Sequence, residues 1–429
     1  MLAVIGNVWA LLIGVFLLMV GNALQSSLLG IRGALEGMDA ATLSYIMSAY
    51  FIGFLGGSQL TPRLIRRVGH IRVFAALGSL LSAAFILYPV WPEPVFWFFL
   101  RLIVGFCFSG VYIVAESWLN NAATNETRGA TLGAYAFVVV AGVVGGQLFL
   151  NIADPSAYFL FIFISVIVSI AFAPILLSVT PAPYYEATKP MTVRELIRVS
   201  PFGCFGMLVI GTIFSALFGM SAVYATEKGL SVAELSIFVA AIYVGGLAFQ
   251  VPIAWISDRM DRRLLVVALC LVGAGVCVIG AIGGGSFAVM LAAGAVMGGI
   301  ANPLYPLLIA YTNDYLEHED MAAASGGLVF LNGLGAIAGP VVIGALMASL
   351  GADAYFGVVA VLFGTIAAYG FYRMTQRAAP SVEDTSAYAA MAPIASPASV
   401  EFAQEAAIEM AEAAEEEAAE EEGDGTRAA

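Results

Sequence analysis

The sequence predicts an all-α integral membrane protein of twelve transmembrane helices, arranged as two six-helix repeats. Three observations predict it. Of the 429 residues, 61% are hydrophobic and 11% charged, whereas a soluble domain carries roughly a quarter charged residues. So little polar surface cannot face water, so lipid must solvate most of the chain. Apolar runs long enough to cross the hydrocarbon core, about 20 residues each, recur twelve times. Lys and Arg then fall almost entirely on one side of the spans that these runs define.

Cut at Pro, Gly and charge clusters, the spans fall at roughly 5–30, 41–61, 72–90, 94–119, 129–151, 157–178, 201–225, 234–256, 264–283, 287–313, 322–349 and 354–373. The first run is too long, and its start too poor in bases, for a cleaved signal peptide. The connections are mostly short, so neighbouring helices run antiparallel. Residues 179–200 form the longest internal loop, interrupted by Pro181, Pro183 and Pro190, and divide the spans six and six. The domains expected are therefore 1–178, a linker 179–200, 201–375, and a tail 376–429. From Ala378 onward lie 13 acidic residues and one base, Arg427. The net charge of −13 thus belongs almost wholly to the tail, which reads as a solvated helix or disorder, with partner docking as the alternative.

With the N-terminus placed in the cytoplasm, Arg63, Arg66, Arg67, Arg72, Arg128, Lys189, Arg194, Arg198, Arg259, Arg262, Arg263, Arg373, Arg377 and Arg427 lie inside. Arg32 and Lys228 lie outside, and Arg101 lies within a span. Both termini are therefore expected in the cytoplasm of a multi-pass inner-membrane protein. The loop 314–321 dissents, with four acidic residues and no Lys or Arg, but acidic residues weigh little in this rule.

The second half repeats the first at an offset of 193. Tyr50 meets Tyr243, Gly53 meets Gly246, Gly105 meets Gly298, Tyr112 meets Tyr305 and Asn120 meets Asn313. Glu126 meets Glu319, Gly133 meets Gly326, Phe137 meets Phe330, Gly142 meets Gly335 and Gly146 meets Gly339. Chance supplies some glycine matches in so Gly-rich a chain; the Tyr, Asn, Glu and Phe pairs argue for duplication. Two parallel repeats place a solute site between the halves near the midplane.

The stretch Gly246…Gln250-Val-Pro252…Ser257-Asp258-Arg259-Met-Asp261-Arg262-Arg263, with its counterpart Gly57-Ser-Gln59…Arg66-Arg67-Val-Gly69-His70-Ile-Arg72, resembles the loop signature of the major facilitator superfamily. The fourth span (Arg101…Gly105…Gly110…Glu116-Ser-Trp-Leu-Asn120…Arg128-Gly129) and the tenth (Pro303-Leu-Tyr305…Tyr311-Thr-Asn-Asp314) are most similar to the YcaD-type branch of bacterial permeases. The resemblance covers residues 1 to about 375. It implies that the first, fourth, seventh and tenth spans line the cavity, which favours Asn22, Gln25, Arg101, Tyr112, Tyr224, Asn302 and Tyr305 as solute contacts. It also links an arginine in this part of the fourth span to proton coupling or to anionic substrates. Two features depart from the family. Arg66 stands where an aspartate is expected, and the antiporter signature of the fifth span is incomplete: Gly142 and Gly145-Gly146 lack the following proline, whereas Gly335-x3-Gly339-Pro340 carries it in the eleventh.

Arg101 lies eight residues into its span, roughly 12 Å from the outer end at about 1.5 Å per residue. A guanidinium at that depth costs several kcal/mol unless it faces water or a partner; it reads as a functional site, with structural hydrogen bonding as the alternative. Glu116, near the inner end of the fourth span, is within reach of Arg66 or Arg67 and reads as a gate latch or as a locally hydrated carboxylate. Asp258 with Arg259, Arg262 or Arg263 offers the same in the second half. The span amides Gln59, Gln147, Asn151, Gln250 and Asn332 must face protein or a wet cavity. Cys107, Cys204, Cys270 and Cys277 sit in apolar runs, without CxxC spacing, and read as small core residues. His70 and His318 are too few for a zinc, haem or di-iron centre, and no GxxxxGK[ST] run offers a nucleotide as energy source. No cofactor or nucleic acid is expected.

The function these residues point to is secondary transport of a small solute by alternating access, driven by its own or a proton gradient, in a protein expected to be monomeric. A single span carboxylate, near an end, suits a weakly polar solute or an anion paired with Arg101 better than a dication. A non-transporting receptor or assembly factor is the alternative. An enzyme ranks third, since no nucleophile–base or metal constellation stands in the spans.

Overall fold

The computed structural model describes residues 2–122, 127–176, 191–283 and 285–376. Residues 179–190 of the linker, the tail from 377 and the Glu126 repeat position lie outside the described residues. The chain forms α1 (Leu2–Leu35), α2 (Ala40–Val68), α3 (His70–Leu87), α4 (Pro94–Ala122), α5 (Arg128–Phe149) and α6 (Phe159–Leu176). After a short α7 (Val193–Val199) come α8 (Pro201–Ser215), a π-helical turn (Ala216–Met220) and α9 (Ser221–Glu227). There follow α10 (Val232–Ser257), α11 (Arg262–Ile282), α12 (Phe287–Asn313), α13 (His318–Leu350) and α14 (Ala354–Met374).

Among the described residues, eleven helical stretches are long and apolar enough to cross a bilayer; one of them, Pro201–Glu227, joins α8, the π turn and α9. The apolar Phe159–Pro174 occupies the sixth position as a shorter helix. The helices outrun their apolar segments: α2 continues beyond residue 61 to Val68, so Arg63, Arg66 and Arg67 ride on its last two turns. Turns are set by glycines in the left-handed region that other residues avoid. Gly69 (φ 86°) closes α2 by donating its N–H to the Ile65 carbonyl, and Gly229 (φ 72°) precedes the Ser231/Glu234 capping box that opens α10.

Helix packing repeats pair for pair. In the first half α1 packs on α5 and α6, α2 on α4, and α3 on α4 and α6; in the second, α8 packs on α13 and α14, α10 on α12, and α11 on α12 and α14. Closely approaching glycines refine the register. Gly105 meets the Tyr50 carbonyl and Gly298 the Ile242 carbonyl; Gly53 meets the Leu102 carbonyl and Gly245 the Ala295 carbonyl. Gly142 and Gly146 meet the Phe16 and Val20 carbonyls, and Gly335 and Gly339 meet those of Leu208 and Thr212. The offset is therefore 193 for α4/α12 and α5/α13, but 192 for α1/α8 and α2/α10. This corrects the pairings of Tyr50 with Tyr243 and Gly53 with Gly246, which are one residue out of structural register. A single offset hides the slip because loops absorb one residue while the helices keep their contacts.

The halves touch through α2 and α13, α5 and α10, and α1 and α9. Ser48 donates to the Ile337 carbonyl at 2.6 Å, and Asn151 to Ser236 at 3.0 Å. Gly30 packs on Ala222, and Gly344 on Ser44. These contacts gather toward the end of the bundle that carries Arg32 and Lys228, opposite the basic end formed by α2, α10, α11 and α14.

Candidate functional site

Arg101 lies on α4 and is fully buried. It donates to Gln25 Oε1 through Nη1 and to Ser26 Oγ through Nη2 at 3.0 Å, and its guanidinium carbon sits 4.6 Å from the Tyr50 ring centre. Both α1 residues follow from the helical repeat, which turns Asn22, Gln25 and Ser26 toward α2 and α4. Asn22 reaches the Tyr50 hydroxyl at 3.5 Å. No described carboxylate pairs with Arg101. Arg101 Nε, Gln25 Nε2 and Asn22 Oδ1 have no hydrogen-bond partner, and neither does the hydroxyl of Tyr88 beside Gln25. The site is thus one permanent cation among neutral partners, with spare donors.

Ser26 also faces the other half, 3.4 Å from the Phe218 carbonyl. That carbonyl belongs to the π turn, where widened helical geometry shifts the hydrogen-bonding pattern. The Phe218 ring packs 5.4 Å from that of Tyr50 and 6.1 Å from that of Phe51, and Phe214 stacks on it at 6.2 Å. The Arg101 cluster therefore lies directly against the second half.

The remaining expected contacts are distributed otherwise. Tyr112 is buried and points its hydroxyl at Met19 Sδ, 3.1 Å away, with its ring on Phe54 and Phe108. Tyr224 does the same toward Met290 Sδ at 3.1 Å and stacks on Tyr355. Tyr305 is buried, with its hydroxyl unpartnered. Asn302 does not join the Arg101 cluster; it bonds the Gly298 carbonyl of its own helix and packs on Gly246. Of the other span amides, Gln147 accepts from Ser27 and ties α5 to α1, while Asn332 ties α13 to α8.

At the basic end Glu116 is buried and accepts from the Tyr135 hydroxyl at 3.1 Å. Arg66 and Arg67 are exposed on the last turn of α2. In the second half the central contact is one the sequence reading passed over. Arg262 is buried and pairs with Asp314 at 2.5 Å, both side chains 3% exposed or less. Asp258 stands farther off, at 3.7 Å and half exposed. Arg263 pairs with Asp261 at 3.8 Å and donates to the Arg373 carbonyl; Arg259 lies over Trp255 at 4.3 Å. The acidic loop that dissented from the charge rule thus supplies a buried counter-ion joining α12 to the start of α11. Among the described residues, no group of three or more His, Cys, Asp or Glu is placed to hold a metal ion.

The chain matches the profile of the Major Facilitator Superfamily over residues 11–242 and again over 203–407. It is 26% identical over 360 residues to an uncharacterized MFS-type transporter, YcaD, of Escherichia coli O7:K1 (strain IAI39 / ExPEC), spanning 82% of this chain and 92% of that protein. The YcaD of Shigella sonnei (strain Ss046) is 25% identical over the same shares. Among solved structures, a point variant of the nucleoside transporter NupG superposes with a TM-score of 0.73 at 14% identity, covering 85% of this chain and 98% of that one. A bacterial homologue of the human lysosomal transporter Spinster, inward-facing and unoccupied, gives 0.65 at 14% identity, covering 86% and 98%. At such identities these structures speak for the fold. The chain is a multi-pass membrane transporter and belongs to the Major Facilitator Superfamily.

Proposed function

We propose that the protein moves a small solute across the inner membrane by alternating access, with its basic end and both termini in the cytoplasm. The observation that carries this reading is the Arg101 cluster: a buried, uncompensated cation placed where the two halves meet. A charge in that position is expensive, and neutral partners alone leave that cost largely unmet, whereas an anionic solute would meet it. The contacts that cover it from the second half are light, a long Ser26–Phe218 hydrogen bond and ring packing, and separation of the halves would uncover it. The driving force is the gradient of the solute or of protons. Glu116, buried and held by the Tyr135 hydroxyl, is a carboxylate inside a span that offers a protonation site. The domain division at 178/179 and 200/201 fits this reading, each six-helix half moving as one body.

The test is ligand-induced thermal stabilisation of the purified protein against a broad metabolite and drug library, beside Arg101→Ala. At least one solute that stabilises the wild type and leaves the variant unmoved is expected. Absence of any stabilising solute at any pH, with the variant equally stable, contradicts transport and favours a receptor that kept the fold.

A further inference from the structure

The two walls of the site are chemically unlike. In the register set by the glycine contacts, Asn22, Gln25 and Ser26 of α1 correspond to Phe214, Leu217 and Phe218, and Arg101 corresponds to Gly294. At Gly294 an added Cβ would lie 2.7 Å from the Phe238 ring, so an aromatic side chain crowds the place from which Arg101 projects in the first half. The duplicated fold therefore presents one polar, cationic wall and one apolar, aromatic wall.

The cationic wall is incomplete. A guanidinium keeps its proton in any protein environment, so the Arg101 charge is permanent. Its described partners are all neutral, and three donor groups of the cluster, at Arg101 Nε, Gln25 Nε2 and Tyr88, remain unused. A buried cation in that condition gains most from an anion that accepts two hydrogen bonds side by side, as a carboxylate does. Because Arg101 is the one base in the middle of a span, a single negative charge balances it.

Tyr50 joins the walls. It holds the guanidinium at 4.6 Å and packs on Phe218 of the other half at 5.4 Å between ring centres, with Phe54 stacked at 6.0 Å. When the halves part, Phe218 withdraws and Tyr50 loses an aromatic neighbour beside the cation. Resting on the transport reading, we propose that the solute is a small monoanion with a planar apolar body, the aryl-carboxylate class. Its carboxylate binds Arg101 and Gln25, and its ring takes the place that Phe218 occupies against Tyr50.

The experiment is thermal melting of the full-length protein with millimolar benzoate, benzamide, benzylamine or acetate. Benzoate isolates the pair of features, benzamide removes the charge, benzylamine inverts it, and acetate removes the ring. Benzoate alone is expected to raise the melting temperature; Arg101→Gln abolishes the shift, and Arg101→Lys, which keeps the charge but not the fork, reduces it. A shift from benzamide or benzylamine as large as that from benzoate overturns the proposal, as does a benzoate shift that survives Arg101→Gln. No benzoate effect, alongside another solute class that stabilises the protein in the library test, overturns the aryl-carboxylate assignment and leaves transport standing. Silence in both experiments removes both.

Discussion

The Arg101 guanidinium carbon sits 4.6 Å from the centre of the Tyr50 ring, and the same ring bears on Phe218 of the opposite half. One aromatic side chain thus touches both the buried charge and the interface between the halves. A cation–π contact of this desolvated kind is worth about 2 kcal/mol. Tyr50→Phe keeps the ring and should bind solute within a few-fold of the wild type. Tyr50→Leu should weaken binding roughly tenfold or more. Isothermal titration with a solute found by thermal stabilisation checks both; equal losses would place the hydroxyl, not the ring, at the centre of the contact.

The Arg262–Asp314 pair is buried on both sides, so removing one partner leaves a buried charge less well compensated. Asp314→Asn should cost about 3 kcal/mol of stability, read as a fall in melting temperature, and replacing both residues by apolar ones should recover much of it. Asp258→Asn, which alters a half-exposed carboxylate at 3.7 Å, should cost under about 1 kcal/mol. The reverse order would return the second-half contact to Asp258.

Glycine positions separate into those that permit helix contact and those that merely tolerate a side chain. Gly105 lies on the Tyr50 carbonyl, whereas Gly364 has nothing within 4 Å of an added Cβ. Gly105→Val should destabilise by at least about 3 kcal/mol, because backbone must move. Gly364→Ala should be neutral or gain up to about 1 kcal/mol of helix stability. Expression and melting curves of the two variants check the contrast.

Asp39 caps α2 by accepting from the Thr42 N–H at 2.8 Å, and these Thr42 hydrogen bonds hold its carboxyl below the usual carboxylate range. A depressed folded-state value means that the cap contributes fully above the unfolded pKa, near 3.8, and is lost as pH falls through the lower folded value. Hydrogen exchange in the first turn of α2, corrected for intrinsic rates, should therefore be flat at neutral pH and rise only in acid. In Asp39→Asn that acid-dependent step should vanish.

The spans were legible because lipid leaves few ways to satisfy a backbone and the apolar runs must be long. Arg101, Asn22 and Gln25 were legible because polar groups at that depth need partners, and helical spacing puts them on facing surfaces. Asn302 met the same criteria but spends its amide on the Gly298 carbonyl, a local choice that sequence does not reveal. Ser26 escaped notice because a serine stands out little in an apolar run, adjacency to Gln25 being the available signal; Tyr50 was read as a repeat position, and its place over Arg101 emerges only from the packing of α2 on α4. Asp314 was in view as part of a loop without bases, yet only the fold brings α12 to the start of α11. The π turn at Ala216–Met220 and the one-residue slip in repeat register depend on tertiary contacts and have no local signature.

Alternating access is tested most directly by measuring both ends of the molecule at once. Spin labels at Leu35 and Leu350 report the halves at the end where they now touch, and labels at Val68 and Tyr372 report the basic end; all four positions are exposed, and the four native cysteines are buried. Electron–electron distance measurements with and without solute, and across pH, should give two populations at each end. The distances should move in opposite directions, one end opening as the other closes. A single unchanging distance at both ends under every condition would contradict alternating access and leave a static membrane scaffold.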